Sequence, residues 1–235
     1  MSERSARIKN VSGLLHLDSS HSGDSVSRRL SSLFARTWQE RHDGAEYRYR
    51  DLAADPVPLI TPAYCALGRR VERHGYVSPA KVPSLVESAA EEREWALTLP
   101  LVEELLAADT VLVGGPMYNF SVSASLKAWI DRVTFPGAYA DPDSGESLLR
   151  GTRVVVVTAR GGAYGPGTPR EGFDFQEPYL RTYFTNLGVA EKDLALVHAE
   201  MTLAGLVPDL AHLQPVADRS LAAARAAVTE LAERA

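Results

Sequence analysis

"TRVVVVT" at residues 152–158 decides the fold, because its four consecutive valines show no alternation of polar and apolar positions. Such a run is typical of a strand with both faces buried, as in a parallel sheet. Further strands are predicted at residues 12–17, 46–51, 110–115 and 193–198. The stretch at 46–51 alternates only weakly, so we expect it at an edge of the sheet.

Stretches with helical spacing of apolar residues separate these strands. The first follows Ser25, a predicted N-cap, and places on one face Val26, Leu30, Leu33, Phe34 and Thr37. Other helices are predicted at residues 85–107, 123–132, 178–187 and 221–231, with a kink or restart at Pro100. Strands that alternate with helices predict an α/β fold, in which helices cover both faces of a five-stranded parallel sheet.

Two stretches do not fit the alternating pattern. Residues 53–83 contain five prolines and predict a long surface excursion with short helical pieces. Residues 134–147, "TFPGAYADPDSGES", are rich in turn formers and predict a hairpin or a loop over a site. We expect both to line the substrate side. Neither divides the chain, and no internal repeat is present, so residues 1–235 are interpreted as a single domain.

The composition narrows the possible functions. A net charge of −5 argues against nucleic acid and against an anionic membrane surface as partners. No apolar run approaches a membrane span, and no signal peptide is evident, so a cytoplasmic protein is expected. The six histidines lack metal-ligand spacing, no G-x-S-x-G motif occurs, and Cys65 is interpreted as a buried or incidental thiol, not a nucleophile. No metal site is predicted.

Three predicted strands end in unusual loops, and ligands of parallel sheets bind at the carboxyl ends of the strands. The serine loop, residues 19–25 ("SSHSGDS"), leads into a helix N-terminus, where hydroxyls and free N–H groups suit an anion. The P-loop and dinucleotide motifs are absent, so a single phosphate monoester fits better than a polyphosphate. The alternative is a solvated turn with a serine N-cap.

The other two loops suit a flat ring. The aromatic loop, residues 116–120 ("PMYNF"), follows Gly114 and Gly115, which allow close backbone approach. Its alternative role is a hydrophobic plug between strand and helix. The glycine loop, residues 159–172, offers the N–H groups of Gly161 and Gly162 to ring oxygens or nitrogens, and its alternative is a mobile linker. The Arg160 side chain is expected to be a surface charge.

Together the loops offer a phosphate seat, an apolar face and a polar edge made of backbone. Flavin mononucleotide (FMN) has the three matching parts, so the sequence predicts an FMN site. Tyr118, Phe120 and Tyr164 are candidates for shaping the pocket of an electron acceptor. No acid–base pair stands out, which is consistent with chemistry carried by the cofactor.

The quoted motifs also resemble those of a known family. "PMYNF" followed by "LKAWID", the "RGG" of the glycine loop, and "SS" followed by "SVS" resemble the flavin motifs of azoreductases, which are FMN-dependent NADH:quinone oxidoreductases. "YRDLAADPVP", "YLRTYFTNLGV" and "HAE" are similar to further segments of that family. The resemblance implies a flavodoxin-like three-layer sandwich with strand order 2-1-3-4-5.

The resemblance also assigns site residues by position. Around the phosphate it implies Ser20, Ser25, Val26 and Ser27. Beside the ring it implies Pro116, Met117, Tyr118, Asn119 and Phe120, and along the pyrimidine edge Ala159, Arg160, Gly161 and Gly162. Ala159 and Ser123 stand where the family commonly has serine and proline. Members are homodimers with the flavin at the interface, so a homodimer is expected.

The expected reaction is ping-pong: NADH or NADPH reduces the flavin and leaves before a quinone, azo compound or similar flat acceptor is reduced. Two alternatives stay open. The chain could be a flavodoxin-like carrier of single electrons, or a reductase dedicated to one biosynthetic intermediate. Direct reduction by a nicotinamide donor separates the carrier from both enzymes.

Overall fold

The computed structural model describes residues 13–235, and these fold around a five-stranded parallel sheet. The strands are β1 (Gly13–Asp18), β2 (Glu46–Asp51), β3 (Thr110–Pro116), β4 (Arg153–Ala159) and β5 (Leu194–Ala199). Their order is β2-β1-β3-β4-β5, so the predicted sheet and the edge position of β2 are confirmed. Ser12, predicted to begin the first strand, lies outside the described residues.

Helices cover both faces of the sheet, which confirms the predicted three layers. They are α1 (Val26–Arg41), α2 (Pro62–Arg73), α3 (Ala89–Ala107), α4 (Ala124–Val133), α5 (Gln176–Asn186) and α6 (Gln214–Arg234). Short 3-10 turns occupy Pro79–Leu85, Glu191–Asp193 and Pro208–Leu213. Helices α1 and α6 pack on one face, and α3, α4 and α5 pack on the other.

The valine run of β4 explains why its sequence does not alternate. Val155 and Val157 belong to the apolar cluster beneath α1 and α6. Val154 and Val156 belong to the cluster on the opposite face of the sheet. All four are at most 1% exposed. Successive side chains of a strand point to opposite faces, so a strand covered on both sides needs an apolar residue at every position.

The proline-rich stretch is more ordered than predicted, because it contains the three-turn helix α2. Thr61 caps this helix by accepting a hydrogen bond from the Tyr64 N–H, and Pro62 occupies its first turn. Tyr64, Leu67 and Val71 are buried on one face, which packs in the same apolar cluster as α3. The cap and the apolar spacing were readable in the sequence, but the density of prolines obscured them.

Helix α3 does not restart at Pro100, although a restart was one of the two outcomes predicted there; the other, a kink, stays a prediction. It runs unbroken from Ala89 to Ala107, and Ser88 caps it by accepting from the Glu91 N–H at 3.3 Å. Residues 85–87, predicted to belong to this helix, precede the cap, and Leu85 ends the 3-10 turn Pro79–Leu85 instead. Packing of the apolar face of α3 outweighs the loss of one helix hydrogen bond at Pro100.

Residues 134–147 form the predicted hairpin, but not over the strands' carboxyl ends. Ala140 and Ser147 pair as an isolated antiparallel bridge. The segment connects the end of α4 to the start of β4, which in a parallel sheet is the amino edge. Ser147 Oγ donates to the Leu187 carbonyl at 2.6 Å, just after α5 ends. The segment therefore lies away from the carboxyl ends of the strands, and its predicted place on the substrate side stays a prediction.

Candidate functional site

The three predicted loops meet at the carboxyl edge of the sheet, because β1, β3 and β4 are neighbours. The His21 N–H donates to Tyr118 Oη at 3.4 Å, which joins the serine loop to the aromatic loop. The Phe120 and Tyr164 rings lie 6.4 Å apart, which joins the aromatic loop to the glycine loop. The three loops that the sequence singled out therefore lie together at one edge of the sheet.

The serine loop presents the N-terminus of α1. Ser20, Ser25 and Ser27 are buried, and Val26 is half-buried. Ser25 holds the N-cap position in extended conformation, but its hydroxyl does not cap the helix. It lies 2.9 Å from the Ser27 hydroxyl instead, so the predicted N-cap position of Ser25 is confirmed although its side chain makes no capping hydrogen bond. The N–H groups of the first helical turn have no partner within the helix, and they favour an anion at this end.

Arg28 holds the serine loop in shape, a role that the sequence did not suggest. Its Nη2 donates to the Ser20 carbonyl at 2.6 Å and its Nε to the same oxygen at 3.2 Å. Two further hydrogen bonds, of 2.7 and 2.8 Å, reach the Asp51 carboxylate at the end of β2. The hydrogen bond from Arg28 lowers the pKa of Asp51. This bidentate pair ties the loop to the sheet.

Gly114 is explained by packing inside the protein, not by approach of a ligand as predicted. A Cβ at this position would overlap the Asp18 carboxylate and would lie 2.8 Å from Ser31 Oγ. Asp18 is 1% exposed and accepts hydrogen bonds from Ser31 Oγ at 2.8 Å and from the Tyr49 hydroxyl at 3.1 Å. Burial and the charge of Asp18 raise the pKa of Tyr49 to about 12, which keeps this hydroxyl a donor.

The aromatic loop makes a strained two-residue turn. Tyr118 and Ser121 exchange backbone hydrogen bonds of 3.0 Å in both directions. The residues between them, Asn119 and Phe120, have φ values of 47° and 72°. This is the geometry of a type I′ turn, which favours asparagine or glycine. A phenylalanine at positive φ costs on the order of 1–3 kcal/mol, and such strain concentrates at functional sites.

The aromatic loop does not plug the gap between β3 and α4, which was the alternative considered. Tyr118 and Phe120 are 39% and 41% exposed, and Asn119 is also exposed. Met117 is half-buried, and Pro116 is buried with its carbonyl accepting from Gln176 Nε2 at 3.0 Å. Within residues 13–235, the N–H groups of Asn119 and Phe120 have no acceptor. The loop therefore presents apolar rings and free donors to the outside.

The glycine loop is held by a fourth loop, residues 200–207 after β5, to which the sequence assigned no role. The carbonyl of Gly162 accepts from the Met201 N–H at 3.2 Å, and that of Gly161 from the Leu203 N–H at 3.4 Å. The N–H groups of Gly161 and Gly162 have no acceptor in the described part of the chain. The loop is therefore a braced segment with two free donors, not a mobile linker.

Arg160 is buried, so the prediction of a surface charge was wrong. Its side chain is 2% exposed and its Nη1 lies 2.8 Å from Asp174 and 3.6 Å from Glu200. Asp174 in turn accepts from the first N–H groups of α5. The guanidinium thus joins the glycine loop to α5 and to the fourth loop. The backbone of Arg160 is occupied as well, because its N–H donates to the Ala199 carbonyl at 2.8 Å and its carbonyl accepts two hydrogen bonds from Thr202. In the part of the chain that the structure describes, Nε and Nη2 of the buried guanidinium have no hydrogen-bond partner. Ala159 ends β4 and is buried.

Aromatic residues surround the opening between the loops. Phe173 lies 5.6 Å from the Phe120 ring, and the Phe175 N–H donates to the Phe120 carbonyl at 3.0 Å. Phe173 and Phe175 are 51% and 58% exposed, whereas Tyr164 is 8% exposed. No periodic pattern marked Phe173 or Phe175, because they lie in an irregular segment between the glycine loop and α5.

This arrangement fits FMN. The helix N-terminus and serine hydroxyls suit a phosphate, and the free N–H groups of Gly161 and Gly162 suit the acceptors of a pyrimidine edge.

Over residues 13–235 no helix combines the length and apolar character that a membrane span requires. The same residues do not bring three or more His, Cys, Asp or Glu side chains together around a possible metal position.

Comparison with known proteins identifies the family. Residues 12–229 match a family described as having a flavodoxin-like fold. An FMN-dependent NADH:quinone oxidoreductase of Nocardia farcinica is 44% identical over 209 residues, which are 89% of this chain and 92% of that protein. This chain belongs to the FMN-dependent NADH:quinone oxidoreductase family. A member from Streptomyces coelicolor is 41% identical over 94% of this chain and 96% of its own length. The predicted family is therefore confirmed.

Solved structures agree with the family assignment at the level of the fold. An azoreductase from Bacillus anthracis str. Sterne superposes with a TM-score of 0.77 at 17% identity, covering 96% of this chain and all of that one (100%). An FMN-dependent NADH-azoreductase from Bacillus anthracis str. Ames Ancestor, in complex with FMN, gives 0.72 at 20% identity, covering 94% and 99%. These likenesses confirm the flavodoxin-like fold of this family member.

Proposed function

We propose that this oxidoreductase transfers hydride from NADH, by way of bound FMN, to a quinone, an azo compound or a similar flat acceptor. The observation that carries the proposal is the placement of two free glycine N–H groups opposite exposed aromatic side chains, beside an uncapped helix N-terminus. FMN supplies the hydride chemistry when it is bound. The chain supplies binding, orientation and exclusion of water.

The phosphate end is assigned to the serine loop and the start of α1. Ser20, Ser25 and Ser27 offer hydroxyls, and Val26 and Ser27 offer N–H groups of the first helical turn. Negative charge is favoured there by the helix dipole. Because the Arg28 clamp already fixes the carbonyl of Ser20, the loop needs little reorganisation to accept a phosphate.

The ring end is assigned to the aromatic and glycine loops. One set of residues lies beside the ring: Pro116, Met117, Tyr118, Asn119 and Phe120. A second set lies along its pyrimidine edge: Ala159, Arg160, Gly161 and Gly162. Among the described residues the buried Nε and Nη2 of Arg160 have no hydrogen-bond partner, which supports a role for this side chain. Free N–H groups in both loops support this assignment.

The acceptor is proposed to bind over the ring, between Tyr118, Phe120 and Tyr164. Rings of this kind bury a flat molecule without demanding one hydrogen-bond pattern, which suits a broad acceptor range. Donor and acceptor would use the same opening in turn, as ping-pong turnover requires.

We also propose a homodimer with the opening at its interface, in the cytoplasm, where NADH is available. The support is an exposed apolar patch around the site: Tyr118, Phe120, Phe173, Phe175, Leu203 and Leu206. Contiguous apolar surface of this kind is typical of an interface.

The first test is the visible spectrum of the purified protein loaded with FMN and mixed anaerobically with NADH, and separately with NADPH. Rapid bleaching by NADH, followed by recovery of colour on adding a quinone or an azo dye, is expected. Bound FMN that neither nucleotide bleaches would identify a single-electron carrier instead. Bleaching without recovery on any simple quinone or dye would favour the dedicated reductase. A protein that does not bind FMN would refute the proposal.

The dimer is tested by sedimentation velocity on the wild type and on Phe175→Glu. The wild type is expected to sediment as a dimer of the 25.5 kDa chain, and the variant to dissociate because a charge would enter the apolar patch. A matched control is Leu97→Glu, since Leu97 is 45% exposed on α3. A monomeric wild type would contradict the dimer without affecting the FMN assignment.

A further inference from the structure

The guanidinium of Arg170 lies against the glycine loop, next to the two free N–H groups. A Cβ built on Gly162 would be 3.1 Å from Arg170 Nη1 and 3.4 Å from its Cδ, so the side chain rests on the Gly162 backbone. Nη1 donates to the Tyr164 hydroxyl at 3.1 Å, and Cζ lies 5.8 Å from the centre of the Tyr164 ring. These contacts hold the charge at one edge of the opening.

Arg170 differs from the other arginines near the site in its partners. Arg28 pairs with Asp51, and Arg160 pairs with Asp174. Among residues 13–235, Arg170 has no carboxylate within ion-pair distance, and Tyr164 is its polar partner. A positive charge without an internal counter-ion, held beside free N–H donors, raises the potential at this edge and favours negative charge there.

We propose that Arg170 supplies the charge that makes this site bind reduced FMN more tightly than the bare backbone would. Two-electron reduction near neutral pH leaves a negative charge at N1, on the pyrimidine side of a flavin. A protein charge close to N1 tunes the electronics of the ring. The guanidinium lies beside the N–H groups assigned to that edge. The inference rests on the proposed function, since it needs FMN at this site in this orientation.

The test compares wild type, Arg170→Gln and Arg170→Lys, each loaded with FMN, in anaerobic redox titrations against a reference dye. For Arg170→Gln we expect affinity for reduced FMN, relative to oxidised FMN, to fall about tenfold. For a two-electron couple this is a potential about 30 mV more negative. Arg170→Lys keeps the charge and is expected to retain most of the wild-type value. Affinity for oxidised FMN, followed by fluorescence quenching, is expected to change less than about twofold.

The matched control is Arg225→Gln, which removes the charge of an exposed arginine on α6. It is expected to leave the potential unchanged. An unchanged potential in Arg170→Gln, or an equal shift in Arg225→Gln, would overturn the inference. Loss of NADPH affinity with an unchanged potential would also overturn it, because the charge would then serve a donor phosphate. Failure of the wild type to bind FMN would refute the proposed function instead, so the two failures are distinguishable.

Discussion

The two ends of the candidate FMN site differ in how far the protein satisfies its own polar groups. At the serine loop, Arg28 occupies the Ser20 carbonyl and the Asp51 carboxylate, and Asp18 is enclosed by hydroxyl donors. At the aromatic and glycine loops, backbone N–H groups are free and aromatic side chains are exposed. One end is finished in its side-chain contacts before any ligand arrives and leaves the first-turn N–H groups of α1 for a phosphate, whereas the other end is completed by the ligand.

This difference assigns separate tasks to the two ends. A finished, buried end holds a cofactor permanently, because binding there needs little loss of chain entropy. An unfinished and exposed end suits partners that come and go. Substitutions at the first end should therefore change stability and cofactor retention. Substitutions at the second should change binding of the ring or turnover while leaving the fold intact.

The largest effect is expected for Gly114→Ala, at the finished end. The new methyl would overlap the Asp18 carboxylate and disturb its hydrogen bond with Ser31, so the free energy of unfolding should fall by about 3 kcal/mol. Urea denaturation of the FMN-free protein measures it. Gly165→Ala is the control, because nothing lies within 4 Å of a Cβ there. Equal losses in the two variants would contradict the packing explanation.

Arg28→Gln should weaken FMN binding about tenfold, or about 1.4 kcal/mol, because the serine loop loses its clamp. Riboflavin, which lacks the phosphate, should bind as it does to wild type. Fluorescence titration with both ligands gives the comparison. The neighbouring Arg29→Gln serves as control, since its pair with Asp24 is exposed and contributes little. A matching loss for riboflavin would place the effect of Arg28 outside the phosphate end.

Asn119→Gly tests the unfinished end. Glycine accepts the φ of 47° without strain, so the unfolding free energy should change by less than about 0.5 kcal/mol. The amide side chain is lost from beside the ring, so affinity for both FMN and riboflavin should fall about threefold. Loss of stability with unchanged affinity would reverse the roles of the two ends.

The smallest effect is a pH dependence at the finished end. Arg28 lowers the pKa of Asp51 in the folded protein, so the carboxylate contributes stability above its unfolded pKa and loses that contribution as the pH falls through the folded pKa. The pH range in which this contribution is lost lies below 3.8, the ordinary pKa of an aspartate side chain. Since the side chain is 25% exposed, the contribution should be less than about 1 kcal/mol. Asp51→Asn should make the free energy of unfolding depend less steeply on pH in that range. An unchanged pH dependence would contradict this.

The sequence predicted the sheet and the three loops because both leave local signals. The valines of β4 predict a buried strand because they form a continuous apolar run, and the serines before α1 predict a loop because a helical pattern follows them directly in the chain. The burial of Arg160 and the contact of Arg170 with Gly162 depend on residues that are distant or irregularly spaced. Helix α2 lies between these cases: Thr61 and Pro62 are typical of a helix start, but five prolines in the surrounding stretch led to a prediction of short helical pieces only. The sequence indicated that another group approaches Gly114 closely, but it predicted a ligand. The group is the Asp18 side chain of the neighbouring strand β1, which is distant in sequence.

The packing of α6 on α1 has a consequence for biosynthesis. Ala224, Val228 and Ala232 of α6 share an apolar cluster with Leu30 and Phe34 of α1. The ribosome makes α1 early and α6 last of the elements described here, so the part of this face that α6 covers stays exposed for most of translation. During that interval the nascent chain exposes apolar surface that chaperones recognise. Truncations within α6 should therefore reduce the yield of soluble protein although they leave every loop of the FMN site untouched.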